Sequence, residues 1–141
     1  MKGERTTGTF LSRLEEAFKE KKSILCIGLD PALPEQRSRS VIPSKYLRER
    51  DDSEARLEFC LDIIEKVADF CVAAKPNEQY LHGFTSQQHR KLTDSIRDHG
   101  LISIYDCKLG DVRDTAESAI FYYHKWGYDG ITFNPFPGNM E

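Results

Sequence analysis

Hydrophobic residues recur at helical spacing in four segments of the chain. The first lies in the N-terminal segment 1–22, where Phe10, Leu14 and Phe18 line one face of an amphipathic helix that ends near Lys21. Three further helices are predicted, over about 53–69, 86–99 and 115–126. Each has one apolar face, so all four helices are expected to pack against other elements.

Polar and glycine residues mark the ends of these helices. Ser53 is expected to cap the second helix, because a serine side chain can accept a hydrogen bond from a first-turn amide. Gly100 and Gly127 are expected to end the third and fourth helices.

Short, nearly continuous apolar runs separate the helices and predict four strands, over about 23–29, 70–74, 101–105 and 130–133. Runs of this kind are typical of strands buried on both faces, as in parallel sheets. Residues 31–52, with three prolines and many charges, are interpreted as a long surface connection. Strands that alternate with helices predict an α/β fold whose parallel sheet has right-handed crossovers.

Two architectures share this order of elements: an open doubly wound sheet and a (β/α)8 TIM barrel. No glycine-rich nucleotide loop follows a strand, so nothing in the sequence favours the open sheet. Four units in 141 residues are half of what a barrel of about 250 residues contains. We therefore interpret residues 23–141 as half of a (β/α)8 barrel.

The composition is that of an ordinary globular protein, with 39% hydrophobic and 30% charged residues. A net charge of −3 gives no electrostatic reason to expect nucleic acid as a partner. No apolar run approaches the roughly 20 residues of a membrane helix, and the polar N-terminus does not resemble a secretory signal. The sequence therefore predicts a cytoplasmic protein without a membrane partner.

Neither the cysteines nor the histidines have the spacing of a metal site. The four cysteines are expected to be buried, reduced thiols; they are Cys26, Cys60, Cys71 and Cys107. No metal is expected. Four aromatic residues of the last helix are expected to pack against the barrel wall; they are Phe121, Tyr122, Tyr123 and Trp126.

Each apolar run ends in polar or charged residues: Asp30, Lys75, Asp106 with Lys108, and Asn134. In a barrel these ends meet at one mouth, where such enzymes place their active sites. A single charge at a strand end is usually a turn or surface residue. Four such ends on one edge of the sheet indicate a functional site.

The motif Asp106-x-Lys108-x-x-Asp111 follows the third run. On an extended strand, Asp106 and Lys108 would point to the same face. With Lys75 from the neighbouring strand they would form an alternating array of ammonium and carboxylate groups, which is costly to desolvate. Such an array suits a site that stabilises developing charge and delivers a proton. The alternative is a salt-bridge cluster on the sheet edge.

At these positions the sequence resembles the orotidine 5′-phosphate decarboxylase family. The resemblance implies that residues 23–141 are the N-terminal half of a (β/α)8 barrel, strands one to four, with the C-terminal half absent. The long connection after Asp30 resembles the longer-chain branch of that family. The matching segments are Leu25-Cys26-Ile27-Gly28-Leu29-Asp30-Pro31, Ala73-Ala74-Lys75-Pro76-Asn77, Asp106-Cys107-Lys108-Leu109-Gly110-Asp111-Val112 through Thr115, and Phe133-Asn134-Pro135-Phe136-x-Gly138.

The resemblance implies decarboxylation of orotidine 5′-monophosphate to uridine 5′-monophosphate without a cofactor, the last step of de novo pyrimidine biosynthesis. Lys108 would donate the proton to C6 of the pyrimidine as carbon dioxide leaves. Asp106 would lie against the substrate carboxylate, and Lys75 would hold the ribose and orient Asp106. Asp30 would accept a hydrogen bond from a ribose hydroxyl.

The resemblance also implies a homodimer. In this family the residues at the positions of Asp111 and Thr115 reach into the active site of the partner subunit. The strands that follow the fourth supply the phosphate-binding loops, so we expect the 141-residue chain to be a truncated or split product with little activity alone.

Other assignments of the same motif remain open. A sugar-phosphate decarboxylase of the superfamily, such as 3-keto-L-gulonate 6-phosphate decarboxylase, shares the motif but uses magnesium and has an acid where this chain has Lys75. A half-barrel remnant that binds a partner or nucleotide without turnover is a non-enzymatic alternative. Fusion to an orotate phosphoribosyltransferase domain in a longer protein is also compatible with the sequence.

Overall fold

In this computed structural model, which describes residues 8–39 and 41–136, four parallel strands form one sheet in the order β1-β2-β3-β4. The strands are β1 Cys26–Leu29, β2 Ala73–Pro76, β3 Ile102–Leu109 and β4 Gly130–Phe133. The helices are α1 Phe10–Lys21, α2 Ser44–Leu47, α3 Asp52–Val67, α4 Ser86–Asp98 and α5 Arg113–Lys125. Short 3-10 turns occupy Ala68–Phe70 and Glu78–Tyr80. The predicted α/β fold with a parallel sheet is confirmed.

The main core lies on the face of the sheet that α3 and α4 cover. Side chains from β1, β2 and β3 meet those of the two helices there, as the apolar runs and helical spacing predict. Its most buried members are Leu29, Leu57, Cys60, Ile64, Ala74, Leu92, Ile96, Leu101 and Tyr105.

Helix α1 packs on the opposite face, at the N-terminal ends of the strands. Ala17 of α1 is buried against Ala73 and Ile102. Arg13 forms an ion pair with Asp129, just before β4, and Asp129 Oδ2 accepts hydrogen bonds from the Ser103 amide at 2.8 Å and hydroxyl at 2.9 Å. Because α1 occupies the N-terminal end of this face, the C-terminal strand ends remain accessible.

Strand β3 is longer than predicted. It continues from the apolar run through the charged motif to Leu109, which pairs with Phe133. The Asn134 amide then donates to the Leu109 carbonyl at 2.7 Å. The sequence prediction stopped at Asp106 because charged residues end an apolar pattern, whereas pairing with β4 sets the actual end.

The ends of other elements also differ from the prediction. Strand β1 begins at Cys26 and not at 23, and α5 begins at Arg113 and not at 115. Helix α3 is capped by Asp51, not Ser53, because the Asp51 carboxylate accepts from the amides of Ser53 and Glu54, both at 2.9 Å. The second strand was predicted from residue 70, but Phe70 ends a 3-10 turn and is 66% exposed. The strand begins at Ala73, where pairing with β1 begins.

The connection after β1 is not purely a surface loop, so that prediction is wrong. Ala32 and Val41 form a parallel β-bridge. Ile42 and Tyr46 are buried against Ala55 of α3. Apolar residues among the charges of this segment form a small second core, which the prolines and charges obscured.

Two further expectations fail in part, because some of the cysteines and aromatic residues lie at an edge or on an outer face. Cys26 is exposed, since β1 has a neighbour on one side only among the described strands, and Cys107 is only partly buried. Phe121 and Tyr122 are 63% and 48% exposed on the outer face of α5, whereas Tyr123 and Trp126 pack on the main core.

Within the described residues, no helix is long and apolar enough to cross a membrane.

Candidate active site

Asp106 on β3 is the centre of a charged cluster at the C-terminal ends of the strands. Lys75 Nζ lies 2.5 Å from Asp106 Oδ2, and Lys108 Nζ lies 3.0 Å from Oδ1. Thr132 on β4 donates its hydroxyl to the same Oδ1 at 2.8 Å. Asp106 is 7% exposed, so a nearly buried carboxylate is bound by two ammonium groups and a hydroxyl.

These side chains lie on one face of the sheet because alternate residues of a strand point to the same face. Ile102 and Ile104 pack with α1, and Asp106 follows on the same side of β3. Lys75 lies two residues after Ala73, which also packs with α1. The cluster therefore lies on the α1 face of the sheet, beyond the part that α1 covers.

The electrostatics of the cluster keep Asp106 ionised. Burial by itself would raise the pKa of the Asp106 carboxyl, but hydrogen bonds from Lys75, Lys108 and Thr132 outweigh it and lower the pKa to about 2. At neutral pH the site thus holds a carboxylate between two ammonium groups, the arrangement expected from the sequence.

Lys108 departs from the extended conformation that was expected. Its φ is 50°, in the left-handed region, and the pairing of β3 with β4 is irregular between Tyr105 and Leu109. The Lys108 amide donates to Thr132 Oγ1 at 2.8 Å. This bulge turns the Lys108 side chain back to Asp106 while leaving that side chain 65% exposed, so its ammonium group is accessible from solvent.

Asp30 lies at the same edge of the sheet, directly after β1. Gly28 pairs with Lys75, and Asp30 lies two residues beyond Gly28. The Asp30 carboxylate is about one-third exposed and lies 3.9 Å from Arg37 Nη1. A partly exposed carboxylate at this position could accept a hydrogen bond from a ligand.

Asp111 and Thr115 lie beyond the end of β3, and both are exposed. The Val112 amide donates to Asp111 Oδ1 at 2.7 Å, and Thr115 is in the first turn of α5. The direct ion pairs of the cluster join Lys75, Asp106 and Lys108. Asn134 is exposed after β4, whereas the matched position Gly138 lies outside the described residues.

Comparison with known proteins gives the cluster its context. No family model matches the chain. An orotidine 5′-phosphate decarboxylase of Azoarcus sp. (strain BH72) is 34% identical over 136 residues, and one of Variovorax paradoxus (strain S110) is 32% identical over 135 residues. Each alignment covers 92% of this chain. Over most of its length the chain is similar to members of the orotidine 5′-phosphate decarboxylase family.

The chain spans about half the length of these orotidine 5′-phosphate decarboxylases, since the alignments cover 46% of each. A crystal structure from Toxoplasma gondii assigned to orotidine-monophosphate-decarboxylase superposes with a TM-score of 0.71 at 24% identity. That superposition covers 89% of this chain and 40% of the other. It shows that the α/β fold is shared.

Thr132 is the residue of the charged cluster that the sequence analysis did not identify. It was assigned only to the fourth apolar strand. Its hydroxyl bonds both Asp106 and the Lys108 backbone. The sequence feature that could have identified it is a polar residue within an otherwise apolar strand, on the same face as Gly130.

The ion pairs of the cluster include a single carboxylate, that of Asp106, whereas a divalent cation needs several oxygen ligands. Among residues 8–39 and 41–136, no three His, Cys, Asp or Glu side chains lie together in a way that could hold a metal ion. Lys75 and Lys108 occupy the positions around Asp106 where further oxygen ligands would be needed.

Proposed function

We propose that this chain supplies the charged, proton-donating part of an orotidine 5′-phosphate decarboxylase site. The reaction is conversion of orotidine 5′-monophosphate to uridine 5′-monophosphate and carbon dioxide, the last step of pyrimidine biosynthesis in the cytoplasm. The observation that carries the proposal is the Asp106 carboxylate held between the ammonium groups of Lys75 and Lys108 at the C-terminal strand ends.

Lys108 is the proposed proton donor. As the bond between C6 and the carboxylate breaks, its electron pair stays on C6, and a nearby ammonium group stabilises that charge. A proton then moves from Lys108 Nζ to C6, and the resulting amine regains a proton from solvent. Two features support the role: Lys108 is 65% exposed, and its Nζ lies 3.0 Å from Asp106.

Asp106, Lys75 and Asp30 would orient the substrate. The Asp106 carboxylate stays ionised and would lie against the substrate carboxylate, which favours loss of that group as neutral carbon dioxide. Lys75 holds Asp106 at 2.5 Å and would also contact the ribose. Asp30 would accept a hydrogen bond from a ribose hydroxyl.

The four described strands would form the N-terminal half of a (β/α)8 barrel. The consecutive strand order and the 46% coverage of the relatives support this reading. The phosphate-binding loops would belong to the other half. Because remote binding energy lowers the barrier at the reacting atoms, the chain alone would have little activity.

The complete site would be shared between two subunits. Asp111 and Thr115 are exposed next to the cluster, which suits residues that reach into a partner's site. The assembly would be a homodimer joined at the barrel mouths, with no metal and no cofactor in the reaction.

Ligand binding distinguishes this function from the sugar-phosphate and non-catalytic alternatives. We expect uridine 5′-monophosphate to shift the backbone amide NMR signals of 106–111 in the 141-residue chain, and a ketose phosphate with magnesium to leave them unchanged. Lys75→Met should abolish the shifts. Lys91→Met, an exposed lysine of α4 paired with Glu58, is the matched control and should retain them. Shifts caused only by the ketose phosphate with magnesium would contradict the proposal.

A further inference from the structure

Thr132 joins the two groups of the site that must keep a fixed relation to each other. We infer that Thr132 is a positioning residue: its single hydroxyl fixes both the Asp106 carboxylate and the Lys108 backbone, and so sets where the Lys108 ammonium lies. The consequence for turnover rests on the proposed function, whereas the positioning itself does not.

The direction of both hydrogen bonds follows from the chemistry of the groups. A hydroxyl has one proton to donate and two lone pairs to accept with. The Lys108 amide can only donate, so at 2.8 Å it occupies a lone pair of Thr132 Oγ1. The ionised Asp106 carboxylate can only accept, so at 2.8 Å it receives the hydroxyl proton. The hydroxyl is therefore fully oriented by its two partners.

Lys108 needs such a partner because of its backbone conformation. A φ of 50° is unfavourable for a residue with a Cβ and persists only where the surroundings hold it. The bond from its amide to Thr132 supplies that restraint at the bulge between β3 and β4. The Lys108 ammonium then returns to the same Asp106 oxygen that Thr132 contacts, at 3.0 Å.

Thr132 is itself held rigidly enough to act in this way. It lies within β4, and a β-branched side chain on a strand has a restricted χ1 angle. Its carbonyl also accepts from the Cys107 thiol at 3.5 Å, between the two residues that it positions. Because the Thr132 side chain has little freedom to rotate, its hydroxyl holds the Asp106 carboxylate in one orientation.

The test compares three variants of the 141-residue chain: Thr132→Val removes the hydroxyl at nearly constant shape, and Thr132→Ser keeps it. Thr93→Val is the matched control, because the Thr93 hydroxyl is buried on α4 and donates to the Trp126 carbonyl at 2.7 Å, far from the cluster along the chain. Two readouts by NMR apply to all variants: hydrogen exchange of the Lys108 amide, and the pKa of the Asp106 carboxyl.

We expect T132V to speed exchange of the Lys108 amide by about tenfold or more and to raise the pKa of Asp106 by about one unit, since one hydrogen bond to the charged form is lost. Facing Asp106 are also the ammonium groups of Lys75 on β2 and Lys108 on β3, which keep that pKa below its usual range in the variant. T132S should match the wild type in both readouts. T93V should lower overall stability and leave both unchanged.

Several results would overturn the inference. One is a T132V protein whose Lys108 exchange and Asp106 titration match those of T93V; another is a T132S protein that behaves like T132V. If T132V does not fold, the test uses the wild type and T132S. A Lys108 amide that is not protected from hydrogen exchange in either protein would refute the inference. None of these readouts depends on decarboxylation, so failure of the proposed function would be seen separately.

Discussion

His89 is a buried histidine of α4 whose surroundings disfavour the protonated, charged form of its ring. It is 3% exposed, its ring stacks on Trp126 with centroids 4.1 Å apart, and its Nδ1 lies 3.0 Å from Tyr128 Oη. Burial lowers the pKa of His89 to about 4 from its ordinary value of 6.5. The folded protein therefore keeps this imidazole neutral at pH values at which an exposed histidine is charged.

This pKa shift predicts acid sensitivity of the fold. Between pH 6.5 and about 4 the unfolded chain binds a proton at His89 that the folded chain does not, so the free energy of unfolding falls as pH falls. The loss amounts to about 3 kcal/mol across the window. Urea unfolding measured at several pH values should show it.

His89→Phe should remove most of this slope, while His124→Gln, at an exposed position of α5, should retain it. A slope of the same size in H89F and in the wild type would show that His89 is not its source.

At the scale of elements, side chains of α4 donate hydrogen bonds to carbonyl groups at the C-terminal end of α5. The last carbonyls of a helix have no partner within the helix. Thr93 donates to the Trp126 carbonyl at 2.7 Å, and Arg97 donates to the Gly127 carbonyl at 3.0 Å. Side chains of one helix thereby fix where the next helix ends.

Gly127 tests this junction. Its φ is 90°, and an added Cβ would lie 2.9 Å from Thr93 Oγ1. Gly127→Ala should therefore combine backbone strain with a clash and lower the free energy of unfolding by about 2–4 kcal/mol. Gly83 is the matched control, with a φ of 87° and its nearest neighbour 3.7 Å away, so Gly83→Ala should cost only about 1–2 kcal/mol. Equal losses in urea unfolding would show that Thr93 does not restrict the site.

The sequence predicts elements well where local signals define them. The bounds 130–133 of β4 and the start of α4 at Ser86 match the prediction, since a glycine and a polar cap mark them. The end of β3 does not, because pairing of Leu109 with Phe133 sets it. Lys75, Asp106 and Lys108 could be predicted because local sequence places them at strand ends. The contact of Thr132 with Asp106 could not, because it depends on how β4 aligns with β3, 26 residues away along the chain.

At the scale of the whole molecule, β1 and β4 each have one neighbouring strand within the described residues. Next to β1, Ile24 is 81% exposed and Leu25 is 58% exposed. An open edge with exposed apolar side chains favours association with other chains. The 141-residue chain should therefore self-associate as its concentration rises.

Ile24→Lys should weaken that association in sedimentation velocity experiments, because a lysine at an open edge opposes pairing. Leu11→Lys, on α1 at a position that is 67% exposed, should have little effect. Similar weakening by both variants would indicate nonspecific apolar contact in place of association at the β1 edge.

The central proposal is that Lys108 donates a proton within a completed site. The direct measurement is the rate of carbon dioxide release from orotidine 5′-monophosphate by a hybrid in which this chain replaces the aligned 46% of the Variovorax paradoxus relative. The hybrid should be active, and Lys108→Ala should lower its rate by about 10²–10⁴-fold, as expected for loss of a general acid. A folded hybrid that releases no carbon dioxide, or one whose rate is unchanged by K108A, would contradict the account.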